Sequence, residues 1–244
     1  MIKHQTETDA DIVQIQSYRS WGVYKKKSRG IPKLCNTLIS QPSLFNDYYI
    51  SFFGINILPV NIWSKLYKSE CIFKANLKES NMAMGEDLIF NMNLFPHINS
   101  YYISDYVGYN YRYGGMTSKY NPRLLPDLKK QYLYKKECIE KYNYHKAFEF
   151  AAIEIKNIFR SDIYQQIIYI KDKSTILNNI ERELQDPIWN DMVNLVNIRE
   201  QVANDPFVKA IIEHDIESLY NIIYQVVHKD RYKIAIKKII SKFI

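Results

Sequence analysis

The chain has 244 residues, 47% of them hydrophobic and 24% charged, which is the balance of one large globular domain or two small ones rather than of a disordered segment. Its net charge of +7 admits nucleic acid, an anionic lipid surface or an anionic substrate as partner, and fixes no reaction. Three scattered cysteines (Cys35, Cys71, Cys138) exclude a Cys-x-x-Cys zinc site and a disulfide framework and suit a reducing cytoplasm; the polar opening residues exclude a signal peptide at the start given, and the longest apolar stretch, residues 52–60, is too short and too interrupted to span a membrane. The 21 tyrosines suit sugar and interface contacts, since the ring is apolar and its tip polar, and are equally the product of a compositional bias that also enriches Ile, Lys and Asn.

In chain order, residues 11–18 alternate apolar and polar and are rich in β-branched side chains, predicting a strand. Residues 19–29 are basic and polar, predicting a loop or hairpin arm. Residues 31–62 mix apolar and turn signals and predict short helices. Residues 85–95 predict a helix, with Leu88, Ile89, Met92 and Phe95 at helical spacing, Glu86 and Asp87 in the first turn and Pro96 as its stop. The aromatic run 101–113 predicts one strand, or two with a bend near Gly108. Beyond Pro126 long helical patterns cover 128–142, 145–170, 173–184, 187–204, 206–214 and 216–244. Asp186-Pro187 and Asp205-Pro206 are acid caps with proline at the first helical position. The expected division is 1–122, mixed α/β, and 123–244, all-helical.

Three blocks stand out: Asn61-Ile-Trp-Ser-Lys-Leu-Tyr67, Met84-Gly-Glu-Asp-Leu-Ile-Phe90 and Tyr109-Asn-Tyr-Arg-Tyr-Gly-Gly-Met-Thr-Ser118. In this order and spacing, and with the strand from Asp11 ahead of them, they resemble the C-terminal half of family 2 glycosyltransferases of the GT-A type, over residues 8–122. The resemblance implies an incomplete, Rossmann-like GT-A remnant followed by a helical region. It implies transfer of a sugar from a nucleotide-sugar donor to a hydroxyl of a glycan or lipid-linked acceptor, in cell-surface polysaccharide or lipopolysaccharide synthesis, with inversion. Asp87 matches the base that takes the acceptor proton, which requires a carboxylate within about 3 Å of the hydroxyl, and Glu86 is its neighbour. Without the flanking blocks the two acids would simply cap a helix.

By the same resemblance Trp63, Lys65 and Tyr67 belong to the acceptor side. Trp63 either stacks on a sugar or packs in the core, and Lys65 either holds a carboxylate or phosphate or lies solvated on the surface. Arg112 contacts the diphosphate or the acidic pair, or makes a structural ion pair. Thr117 and Ser118 match a loop that closes over the donor.

The family's opening strand and its metal-binding D-x-D are not found in matching positions, so the divalent Mn or Mg of the intact enzyme has no expected ligands here. Asp9-Ala10-Asp11 precedes its strand rather than following one, where α/β sheets bind ligands. The expectation is therefore a chain lacking the donor half and inactive alone, whether a natural fragment, a mis-called start or a subunit completed by a separate donor-binding chain. The strand from Asp11 would then be short of neighbours and expose an edge. The rival reading is a non-enzymatic basic helical module for an anionic surface or nucleic acid, although no zinc-finger, RRM or helix-turn-helix pattern favours nucleic acid. Residues 234–243 alternate isoleucines with lysines, and as a helix would lie on the inner membrane face or pack on the bundle.

Overall fold

The structure is a computed structural model and describes residues 1–21, 23–27, 32–77, 82, 84–112, 120–196 and 204–232. The chain divides into two compact units, 1–115 and 116–243. The first is mixed α/β and the second helical.

In the first unit the described strands form one mixed sheet: β1 (Ile12–Trp21), β2 (Tyr24–Lys27), β3 (Thr37–Ser40), β4 (Lys65–Tyr67) and β5 (Ser100–Arg112). β1 is central. It runs parallel to β5 on one side, and on the other pairs antiparallel with β4 along its first half and with β2 along its second. β3 pairs antiparallel with the start of β5. The expected bare edge at β1 is therefore corrected: β4 and β2, short segments of this same unit, occupy it.

The alternation in β1 is also not that of a half-solvated strand. Residues 11–17 are all buried, and the polar ones are hydrogen-bonded inside. Gln14 Nε2 donates to Ser64 Oγ at 2.8 Å while its Oε1 accepts from Tyr101 Oη at 2.9 Å, and Gln16 Nε2 donates to the Ser104 carbonyl at 2.9 Å. Buried amides persist where each has partners. The β1–β5 register shifts between Gln14 and Gln16 and again between Gln16 and Ser17. The second shift falls at Gly108, where a Cβ would lie 2.5 Å from Tyr106 and 3.0 Å from Ile15, so β5 is one bulged strand.

Helices flank the sheet: α1 (Ile2–Thr8), α2 (Ser43–Tyr48), α3 (Ser69–Ala75) and α4 (Glu86–Leu94). α1 rests on β5 through His4, whose Nε2 lies 3.1 Å from Ser104 Oγ and whose ring is 5.5 Å from that of Tyr102. The core beside α4 is aromatic, with Tyr49, Phe52 and Phe95 in mutual ring contact at 5.1–5.9 Å. Residues 31–62 hold β3 as well as the short helices expected there. The residues 19–29 expected as a loop or hairpin arm include the end of β1 and β2.

In the second unit α5 (Leu124–Lys141), α6 (Phe148–Tyr169), α7 (Lys173–Leu184) and α8 (Ile188–Val196) precede helices Pro206–Ile212 and Ile216–Lys229. α6 is the hub, packing against α5, α7, α8 and the Ile216–Lys229 helix. Phe159 stacks on Trp189 at 4.4 Å and meets Phe207 edge-on at 5.7 Å. The acid starts are present as read: Asp205 accepts from Phe207 N at 2.9 Å and Asp186 from Ile188 N at 3.0 Å. The Pro187 segment ends its described helix at Val196. Residues 234–243, expected as an amphipathic helix, lie outside the described residues.

Candidate functional site

Gly85 holds φ at 94° immediately before α4, a left-handed conformation that glycine adopts at least cost. That turn places Glu86 and Asp87 in the first helical turn, with Leu88, Ile89 and Met92 buried behind them. Glu86 is exposed. Asp87 is half-buried, so its carboxylate stands at a boundary rather than inside packed hydrophobics. The free N–H groups of a helix start favour negative charge there.

Ser64 joins Trp63 to β4 with φ at 61°, a positive value that costs a non-glycine residue energy. Ile15 N donates to its carbonyl at 2.9 Å and Gln14 to its hydroxyl, so β1 holds the turn in place. The turn delivers Lys65 and Tyr67 beside α4. The Lys65 ammonium donates to the Pro59 carbonyl at 2.7 Å and to the Asn61 carbonyl. Although the residue as a whole is half-buried, its ammonium is enclosed by protein. Desolvation pulls its pKa down to about 7, against the opposing pull of the Asp87 carboxylate. Burial pushes the Tyr67 hydroxyl up, its hydrogen bond to Asn91 works the other way, and Asp87 adds to the rise. Asp87, Lys65 and Tyr67 thus share one electrostatic neighbourhood, although Asp87 makes no ion pair within 4 Å among the described residues.

Asn91 was not singled out from the sequence. Its Oδ1 accepts from Tyr67 Oη at 2.8 Å, and its Nδ2 donates to the Val60 and Asp87 carbonyls, each at 2.9 Å. One buried amide therefore ties α4, β4 and the loop before it. The signal that could have found it is an asparagine four residues after Asp87, among the apolar positions of a helix.

Trp63 is half-buried and stacks on Tyr109 at 4.7 Å, with Tyr111 at 5.2 Å. Tyr109 and Tyr111 are two apart on β5 and share a face; Arg112, the next residue, takes the other. Arg112 is exposed and forms no ion pair with Glu86 or Asp87 among the described residues. The structure therefore brings together Asp87, Lys65 and Tyr67 and sets Trp63 on an aromatic cluster with Tyr109 and Tyr111. Thr117 and Ser118 lie outside the described residues.

Neither a scan against protein-family models nor a search of curated proteins finds a match to this chain.

The Asp9-Ala10-Asp11 pair does not fit a divalent metal. Both carboxylates face Lys68 Nζ, at 2.7 Å and 3.3 Å, and Asp11 Oδ2 accepts from Asn99 N at 2.6 Å. The Lys68 ammonium occupies the place between one oxygen of each carboxylate that a shared cation would take. Among the described residues no group of three or more His, Cys, Asp or Glu is arranged for a metal, and no helix is long and apolar enough to cross a membrane.

Proposed function

We propose that the first unit is the acceptor-side and base-bearing part of a GT-A type, family 2 glycosyltransferase that acts in cell-surface polysaccharide or lipopolysaccharide synthesis. The observation that carries this reading is the meeting of two separate sequence blocks. Gly85-Glu86-Asp87-Leu88 opens a helix with a half-exposed carboxylate, and Trp63-Ser64-Lys65-Leu66-Tyr67 lies against it through Asn91, Lys65 and Tyr67. The sheet beneath, with parallel β1 and β5 at its centre, suits a GT-A remnant.

In this reading the acceptor hydroxyl approaches Asp87. Its proton passes to the carboxylate as its oxygen bonds to the anomeric carbon. The bond from that carbon to the donor phosphate breaks, and the electron pair leaves with the diphosphate, with inversion. General-base assistance of this kind is worth about 10²–10⁴ in rate. Asp9 and Asp11 are committed to Lys68, so the donor and any Mn or Mg would be held by residues other than these. The nucleotide-sugar half is then a further segment or a separate chain.

An allelic exchange tests the reading in the producing cell. Asp87→Asn removes one surface glycan species on electrophoresis while the protein still accumulates, and Glu86→Gln retains it. A glycan profile unchanged by Asp87→Asn refutes the assignment. Calorimetry of the 244-residue chain with nucleotide sugars and Mn²⁺ gives no heat of binding; micromolar affinity would place the donor site within this chain.

A further inference from the structure

The strand register places a row of unusual composition beside the Trp63 cluster. In the parallel β1–β5 pair Tyr111 is opposite Arg19, and in the β1–β2 hairpin Arg19 is opposite Lys26. Paired residues on neighbouring strands point to the same face, so one face carries Trp63, Tyr109, Tyr111, Arg19 and Lys26 in succession. Arg19 and Lys26 are both exposed, and neither forms an ion pair among the described residues. Two like charges directly opposite each other destabilise a strand pair. An anion held between them would relieve that repulsion. From Tyr111 to Lys26 is two strand spacings, about 10 Å, wide enough for two sugar rings.

We propose that this face is a subsite for an acidic saccharide, the apolar face of one sugar lying on the Trp63–Tyr111 surface and a carboxylate or phosphate of the same or next residue meeting Arg19 and Lys26. As an acceptor subsite the proposal rests on the transferase reading; as a binding site it stands on the row alone. Aromatic rings present a flat apolar surface with polar tips, which suits the C–H face and hydroxyl rim of a sugar. Arginine binds planar oxyanions through paired donors. Among the described residues the row supplies two cations, matching one or two negative charges rather than a run of phosphates, so a short acidic saccharide fits better than a single-stranded polynucleotide. The opposite face of the same strands carries Lys25, Lys27 and Arg112 with Asn110, Tyr18 and Ser20 in register, and serves as a control.

The test presents the 244-residue chain to an array of neutral, uronate-containing and phosphorylated glycans, with oligo(dT) as competitor. Retention of uronate or phosphorylated glycans, weakened by salt and reduced about tenfold or more in Arg19→Gln/Lys26→Gln, while Lys25→Gln/Lys27→Gln binds within about twofold of the parent, supports the proposal. The uronate and phosphate arms show which acid is used. Both double variants change exposed side chains, and circular dichroism confirms that they fold. Equal retention of neutral and acidic glycans, with no loss in Arg19→Gln/Lys26→Gln, overturns the acidic subsite and leaves the transferase reading standing. Retention of acidic glycans together with an unchanged cellular profile in Asp87→Asn keeps the subsite and removes the transferase. Retention of no glycan, or tighter capture of oligo(dT) through Arg19 and Lys26, overturns the subsite.

Discussion

Asp162 offers a quantitative test of the helical unit. It lies on α6 at 7% exposure, and its Oδ2 accepts from Gln166 Nε2 at 2.6 Å. Gln166 Oε1 in turn accepts from Asn179 of α7 at 2.9 Å. Burial raises the Asp162 carboxyl from the ordinary 3.8 to about 6; the Gln166 bond and Lys129 oppose the rise, and Glu183 adds to it. Because the folded pKa lies above the unfolded one, the folded chain takes up the proton first as the pH falls. The benefit is complete below about 4 and is lost as the pH rises through about 6. At pH 7.5 both states carry the charge, and the fold bears the cost of a buried carboxylate. The gap between 3.8 and about 6 corresponds to about 3 kcal/mol. Asp162→Asn keeps the shape and an acceptor for Gln166 but cannot ionise. Urea unfolding followed by circular dichroism at 222 nm should show the variant more stable than the parent by about 1–3 kcal/mol at pH 7.5. The difference should shrink towards zero by pH 4. Taking the difference cancels the many carboxylates that titrate alike in both proteins. A pH-independent difference, or a parent that is the more stable at pH 7.5, would refute burial as the cause.

Asp205 both starts the Pro206–Ile212 helix and accepts from Lys156 Nζ at 2.7 Å, with Arg160 at 3.4 Å. Asp205→Ala removes the cap and strands the buried ammonium of Lys156, at an expected cost of about 3 kcal/mol in thermal or urea unfolding; a loss below about 0.5 kcal/mol would mean that neither role matters. Asn91→Leu should cost about 2 kcal/mol and leave the Tyr67 hydroxyl and two carbonyls without their partner. Amide exchange should rise at residues 60–67 and 86–91 together, and a rise confined to one of the two segments would show that Asn91 does not couple them.

What was legible in the sequence was what local chemistry decides. The α4 helix followed from apolar spacing and a proline stop. The helix starts at Asp186 and Asp205 followed from side chains that bond amides two residues on. β3 and β4 were not legible, because strands of four and three residues carry too little alternation and are defined by partners far along the chain. Thr37 pairs with Ile103, and Gln14 with Lys65. In β1 the alternation gave the element but not its environment: Gln14 and Gln16 are buried because Ser64, Tyr101 and Ser104 answer them. At the site, Asp87, Lys65 and Tyr67 were named from their blocks, whereas Asn91, which ties the blocks together, follows only from tertiary contact. For Arg112 the resemblance implied a contact with the diphosphate or the acidic pair; strand alternation sets it on the face away from Tyr111, and among the described residues it forms no ion pair with the acids.

In the proposed transferase reading, Asp87 rather than Glu86 is the base, and burial is the difference between them. A base must be oriented as well as charged, because proton transfer tolerates little error in donor–acceptor distance. Glu86 is exposed, and among the described residues no hydrogen bond or ion pair holds the carboxylate of either acid. Asp87 is half-buried, and its main chain is tied by Asn91 to the segment that carries Lys65 and Tyr67. Lys65 reinforces the choice without neutralising it. Two backbone carbonyls hold its ammonium and desolvation weakens its charge near neutral pH; in the proposed reading it biases the field at Asp87 without a contact pair that would block the acceptor hydroxyl. An ion pair at that position would have made a structural clamp; here the ammonium is held by the Pro59 and Asn61 carbonyls instead.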